Sequence, residues 1–142
     1  MKVNKIVIHH SATTDTSSIS WSAIRNHHTS VKGWEDIGYH AGCELIGGKY
    51  ECLYGRPATN SGAHTIGINS SSLGFCFVGN YNHSKPSGDM LRIAAERVIA
   101  PWVKLHGLSI ADIVPHRDYK ETDCPGRLFD INKLRAYVDG CL

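Results

Sequence analysis

Nine histidines and five cysteines in a chain of 142 residues concentrate the side chains that bind borderline metals or carry protons near neutral pH. Two segments hold the most informative of them. Ile8-His9-His10-Ser11-Ala12-Thr13 follows a β-branched run, and Pro115-His116-Arg117-Asp118 through Asp123-Cys124-Pro125-Gly126 follows a second short apolar run. If the two runs are neighbouring strands, His9 and His116 share one rim of the sheet, and Cys124, 8 residues after His116, can loop back to join them. Two imidazoles and a thiolate suit Zn²⁺. Three protein ligands leave a fourth tetrahedral position for water, whose pKa falls toward ~7 on the metal, a catalytic pattern and not a structural one. Taken singly, a strand-end histidine is commonly a satisfied rim residue and a single cysteine a buried thiol. A thiol hydrolase with Cys124 as nucleophile and His116 as base is a rival chemistry. The H-E-x-x-H helix of the commonest metalloproteases is absent.

The elements that must position these residues are readable from hydrophobic spacing. Ile6-Val7-Ile8 reads as a strand covered on both faces, with His9 and His10 at its end. Ser20 caps a helix running to about His28, with Trp21, Ile24 and His28 on one face and Lys32-Gly33 as the stop. Tyr39 to Ile46 and Lys49 to Tyr54 flank Gly47-Gly48 as the arms of a β-hairpin, because both turn positions of a Gly-Gly pair accept positive φ. Arg56 to Ser72, rich in Gly, Ser, Asn and Thr, is a long loop carrying His64. Leu73 to Val78 is the most strand-like stretch and the expected central strand. Ser87 opens a helix with Leu91, Ala94, Ala95, Val98 and Trp102 inward, disturbed at Pro101 and stopped at Gly107. Ile113-Val114 is a short last strand. Asp130 caps a last helix that turns Ile131, Leu134, Tyr137 and Val138 inward and ends at Gly140. The sum is one α/β domain over residues 1–142, with a mixed five-stranded sheet flanked by three helices.

Composition narrows the class. A length of 142 residues with 42% hydrophobic and 20% charged residues fits one globular domain. A net charge of +2 argues against a dedicated nucleic-acid binder, and no stretch reaches the ~20 apolar residues of a membrane-spanning helix. Odd in number and without a C-x-x-C pair, the cysteines indicate neither a disulfide framework nor a zinc knuckle, and most read as reduced thiols. The N-terminal apolar run is too short for a signal peptide, so cytoplasmic synthesis is expected.

Five motifs in order, His9-His10-Ser11-Ala12-Thr13, Ile37-Gly38-Tyr39-His40, Gly62-Ala63-His64, Leu73 to Gly79, and His116-Arg117-Asp118 with Cys124-Pro125-Gly126, resemble the zinc-dependent N-acetylmuramoyl-L-alanine amidases of type 2. That family includes phage lysozyme-type amidases and animal peptidoglycan recognition proteins. The resemblance implies one Zn²⁺ per chain, held by His9, His116 and Cys124, and hydrolysis of the amide between N-acetylmuramic acid and L-alanine. It places Tyr39 beside the metal, to donate to the scissile carbonyl or to hold the attacking water. Thr122 stands where some members carry an oxyanion-stabilising lysine, and Cys76 where certain others carry a glutamate base. His64 is expected to contact substrate, carry a proton or brace its loop. Trp34 is expected to line the groove or fill core, and Asn69 to hold the stem peptide or cap the loop. The partner implied is peptidoglycan or a muropeptide, met by a monomer. A phage or prophage endolysin, released to the wall through a holin-type pore, and a recycling enzyme are both compatible with this reading. A recognition protein without hydrolysis is a further alternative, and the presence of Cys124 weighs against it, since non-catalytic members lack that ligand.

Overall fold

A computed structural model describes residues 1–13 and 20–142. Five strands form one sheet: β1 (Lys5–His10), β2 (Ala41–Ile46), β3 (Lys49–Tyr54), β4 (Ser72–Phe77) and β5 (Ile113–Pro115), in the order β3-β2-β4-β1-β5. Among the described residues the pairs β1–β4, β1–β5 and β2–β4 are parallel, and only the β2–β3 hairpin is antiparallel. Leu73 to Phe77 thus lie on the middle strand, and β1 and β5 are neighbours, as the two chemical segments require. Gly47 and Gly48 turn the hairpin with φ of 58° and 80°, a conformation that a side chain would strain.

Ile6, Ile8, Leu73, Phe75, Phe77, Ala41 and Cys43 turn to one face of the sheet. There they meet a helical rod made of α2 (Gly88–Ala94), a π-helical turn (Ala95–Ile99) and α3 (Ala100–Leu105), together with α4 (Ile131–Asp139). Pro101 explains the π turn: without an N–H it cannot bond the carbonyl of Arg97, and the wider register passes over the gap. Ser87 caps the rod by accepting the Met90 N–H at 3.0 Å, and Asp130 caps α4 through the N–H groups of Asn132 and Lys133. Gly140 ends α4 in a right-handed conformation, φ −63°, so its freedom to take positive φ is not what stops the helix.

Trp21, Ile37, Cys76 and Val78 pack on the opposite face, under α1 (Trp21–Asn26) and the π-helical turn His27–Val31 that extends it beyond the expected end at His28. Ser20 accepts the Ala23 N–H, and the Glu44 carboxylate of β2 accepts the Trp21 N–H at 2.6 Å, so both sequence and sheet fix where this helix starts. Strand β2 begins at Ala41 and not at Tyr39. The backbone of Tyr39 and His40 instead takes the N–H groups of Arg56 and Gly55, while His40 donates to Gly74. Tyr39 is thereby held at the edge of the sheet instead of within it.

Candidate metal centre and its cavity

Alternation along β1 sends His9 and His10 to opposite faces. The parallel pairing of β1 with β5 brings the His116 ring to a centroid distance of 4.4 Å from His9. After the 3₁₀ turn His116–Asp118 the chain returns, tied by the Arg117 N–H to the Cys124 carbonyl at 3.0 Å, and sets the thiol against the end of β1. One donor atom from each of His9, His116 and Cys124 then lies within 4.8 Å of the other two. The separation from Cys124 Sγ to His9 Nδ1 is 3.8 Å. Two donors around one tetrahedral zinc stand about 3.6 Å apart, given Zn–S near 2.3 Å and Zn–N near 2.1 Å. The site fits that ion.

Electrostatics agree with the donor set. Burial holds His9 well below the usual imidazole range, with the neighbouring His64, His116 and His10 adding to the effect. His116 is lowered by burial and by the Lys120 cation. Both rings are therefore neutral at pH 7, with a lone pair to give. Burial pushes the Cys124 thiol up to about 11, although the His10 N–H donates to its sulfur at 3.3 Å. A cation is what would release that proton.

Behind His9 runs a chain of hydrogen bonds whose direction can be worked out. The Ile68 carbonyl can only accept, and Ser72 Oγ lies 2.6 Å from it, so Ser72 donates there. His64 Nε2, 3.4 Å from Ser72 Oγ, then carries the ring proton, which leaves His64 Nδ1 as an acceptor. His9 Nε2 lies 3.0 Å from His64 Nδ1 and 3.3 Å from Thr65 Oγ1, and is the nitrogen that donates. The free lone pair of His9 is thus on Nδ1, facing Cys124. Burial lowers His64 to about 3, so this neutral tautomer persists well below neutral pH. His64 lies behind His9, a candidate ligand, and its Nδ1 fixes the His9 ring by hydrogen bond. Asn69 Oδ1 accepts the His64 and Thr65 N–H groups at 2.9 and 2.8 Å and so braces the loop that carries His64.

Tyr39 stacks obliquely on His9 at 5.1 Å. Burial raises its phenol well above the usual range, so the hydroxyl stays a proton donor. Cys76, in register with His9 on the next strand, is fully buried and its thiol is raised well above the usual range, chiefly by burial. At the position of a glutamate base it remains a protonated thiol in contact with Tyr39. Thr122 Oγ1 accepts the Cys124 N–H at 3.2 Å, which shapes the ligand loop while its hydroxyl lines the cavity.

The cavity in front of these groups has a volume of about 440 Å³. Trp34 forms part of its wall, stacked on His28 at 4.7 Å and covered by the Lys32 ammonium at 4.9 Å. Ile66, 90% exposed, and Lys120 also line it, and the sequence singled out neither. Ile66 looked like any loop residue, and Lys120 lies four positions before the cysteine instead of two. Among the described residues the lining contains no carboxylate. Ala12, at the rim, takes φ 57°, a left-handed conformation that costs a non-glycine residue roughly 1 kcal/mol or more.

Residues 1–127 match the model of the N-acetylmuramoyl-L-alanine amidase family, Amidase_2. The chain belongs to this family. Over 126 residues it is 35% identical to peptidoglycan-recognition protein SC1a of Drosophila melanogaster, a match covering 84% of this chain and 66% of that one. It is 37% identical over 112 residues to a human N-acetylmuramoyl-L-alanine amidase, where the match covers 77% of this chain and 19% of the human protein. Among solved structures it is similar to the endolysin amidase LysCS from Clostridium intestinale, with a TM-score of 0.83 and 25% identity over 97% of this chain and 84% of that one. It is also similar to peptidoglycan recognition protein LE in complex with tracheal cytotoxin, a monomeric diaminopimelic acid-type peptidoglycan, with a TM-score of 0.74 and 30% identity over 89% of this chain and 75% of that one. Among the described residues no helix is long and apolar enough to cross a membrane.

Proposed function

We propose that this chain is a zinc-dependent N-acetylmuramoyl-L-alanine amidase that hydrolyses the amide joining the lactyl group of N-acetylmuramic acid to L-alanine in peptidoglycan. The observation that carries the reading is the convergence of His9, His116 and Cys124 on one wall of an open cavity. His9, His116 and Cys124 would hold Zn²⁺, one per chain. When bound, zinc supplies Lewis acidity at the carbonyl oxygen and lowers the pKa of a coordinated water.

The protein's own groups do the rest. Tyr39, kept protonated by burial, donates a hydrogen bond where negative charge develops on the carbonyl oxygen. Thr122 supplies a neutral hydroxyl to the cavity, a weaker field than the lysine of some members. His64, through Ser72 and the Ile68 carbonyl, keeps His9 Nδ1 free of a proton. Trp34 and Ile66 offer apolar walls for the sugar or stem peptide, and Lys32 and Lys120 offer charge to peptide carboxylates. The similarity to an endolysin amidase supports a bacteriolytic role, in which a monomer made in the cytoplasm reaches the wall through a phage-encoded pore.

Exhaustive chelation should abolish peptidoglycan hydrolysis, and one equivalent of Zn²⁺ should restore it. Full activity in the metal-free protein would rule the reading out and favour the thiol mechanism. The recognition-only alternative gains its support from relatives named as recognition proteins. It predicts that Cys124→Ala leaves behaviour unchanged, whereas the amidase reading predicts retained peptidoglycan binding with no cleavage.

A further inference from the structure

On the sheet face away from the metal centre, Cys43 of β2 and Cys52 of β3 stand directly opposite each other. The hairpin closes on the pair Ile46–Lys49 around a two-residue turn, so its closing pair is hydrogen-bonded and the type alternates from there. Leu45–Tyr50 is then a non-hydrogen-bonded pair, Glu44–Glu51 a bonded one, and Cys43–Cys52 a non-bonded one. Non-bonded pairs bring their Cα atoms to about 4.5 Å and their side chains closest together, within the range that a disulfide spans.

We propose that Cys43 and Cys52 form a dithiol site, outside the catalytic centre, which a low-molecular-weight disulfide converts to a cross-strand disulfide. The two cysteines are not equivalent. Cys43 is fully buried against the helical rod, while Cys52 is partly exposed. Contact with the Cys43 thiol and the nearby Arg97 guanidinium lower the Cys52 pKa, which favours its thiolate. Cys52 is the attacking group. Its thiolate adds to one sulfur of the oxidant and expels one thiolate. Cys43 then gives up its proton and attacks Cys52 Sγ, expelling the second thiolate. Two protein thiols lose two electrons and two protons, and the oxidant disulfide is reduced to two thiols. Cys43 needs no access to solvent, because the only sulfur it must reach is already beside it. The product ties the edge strand β3 to β2 and fixes the hairpin register. A chain moving from a reducing to an oxidising compartment would gain this bond without disturbing Cys124.

The test uses the zinc-loaded protein incubated with glutathione disulfide, followed by peptide mass mapping under non-reducing conditions. The expected result is a loss of about 2 Da, a single bond mapped to Cys43–Cys52, and a melting temperature higher by roughly 5 °C that dithiothreitol reverses. The metal content should not change. Cys43→Ser should stop at a stable glutathione adduct on Cys52, and Cys52→Ser should leave Cys43 unmodified, so either variant suffices if the other fails to fold. A bond mapped to any other pair, a persistent adduct on wild-type Cys52, or five unmodified thiols would overturn the proposal. None of these outcomes depends on amidase activity.

Discussion

In the proposed reading His9, His116 and Cys124 would hold the metal, and a second set of side chains orients them. Ser72→Ala removes the hydroxyl that assigns the His64 proton, and His64→Ala removes the acceptor for His9 Nε2–H. Either change should weaken zinc affinity about 10- to 100-fold, measured by competition with a chromophoric chelator. Unchanged affinity in both variants would show that His9 needs no orienting partner. Tyr39→Phe should lower the hydrolysis rate on the order of 100-fold while the chain keeps its full zinc content. Loss of metal in that variant would place Tyr39 among the structural supports of the site. That His9, His116 and Cys124 would converge was legible because their types are unusual and their positions follow apolar runs. The His64 role was not, since it depends on Ser72 and Ile68 donating and accepting in one order, which spacing does not encode. Asn69 illustrates the same limit: its carboxamide serves two backbone N–H groups that only the folded loop aligns.

At the scale of elements, the site exists because β1, β4 and β5 run parallel, so that their C-terminal ends gather at one rim. Gly74 of β4 lets His64 lie flat against the sheet, since a Cβ there would stand 2.6 Å from the His64 ring. Gly74→Ala should therefore cost about 1–3 kcal/mol of stability and also displace His64 from His9. Denaturant unfolding and zinc titration on one preparation measure both. A variant of wild-type stability and affinity would mean the ring can shift freely. Most elements were readable from the sequence because caps and apolar periods agreed: Ser20, Ser87 and Asp130 all cap as expected. What could not be read were the π turns and the late start of β2. The π turn Ala95–Ile99 follows from the gap left by Pro101, and the late start of β2 from the bonds that Tyr39 and His40 make with Gly55 and Arg56.

For the whole molecule, the buried imidazoles couple stability to pH. His28 is lowered to about 4 and His64 to about 3, burial being the main cause in each, against 6.5 for a free ring. Below pH 6.5 the unfolded chain takes up protons at these rings while the folded one does not. Their stabilisation is complete above pH 6.5 and is lost as pH falls from 6.5 toward the folded values. The melting temperature of the metal-free protein should hold near neutrality and fall steadily from about pH 6 to about pH 4. A midpoint constant or rising over that interval would mean the rings are not held neutral. The same burial keeps His9 and His116 ready for a cation at neutral pH, so one arrangement sets both the acid limit of the fold and the working state of the site.

The most direct test of the whole account is the identity of the bond cut. Purified zinc-loaded protein is incubated with peptidoglycan, and the new chain ends are identified by mass spectrometry and by labelling of fresh amines. Free stem peptides with L-alanine at their N-termini and glycan strands bearing free lactyl carboxyl groups are expected. New reducing sugar ends, new termini within the stem peptide, or no new ends at all would contradict the amidase reading.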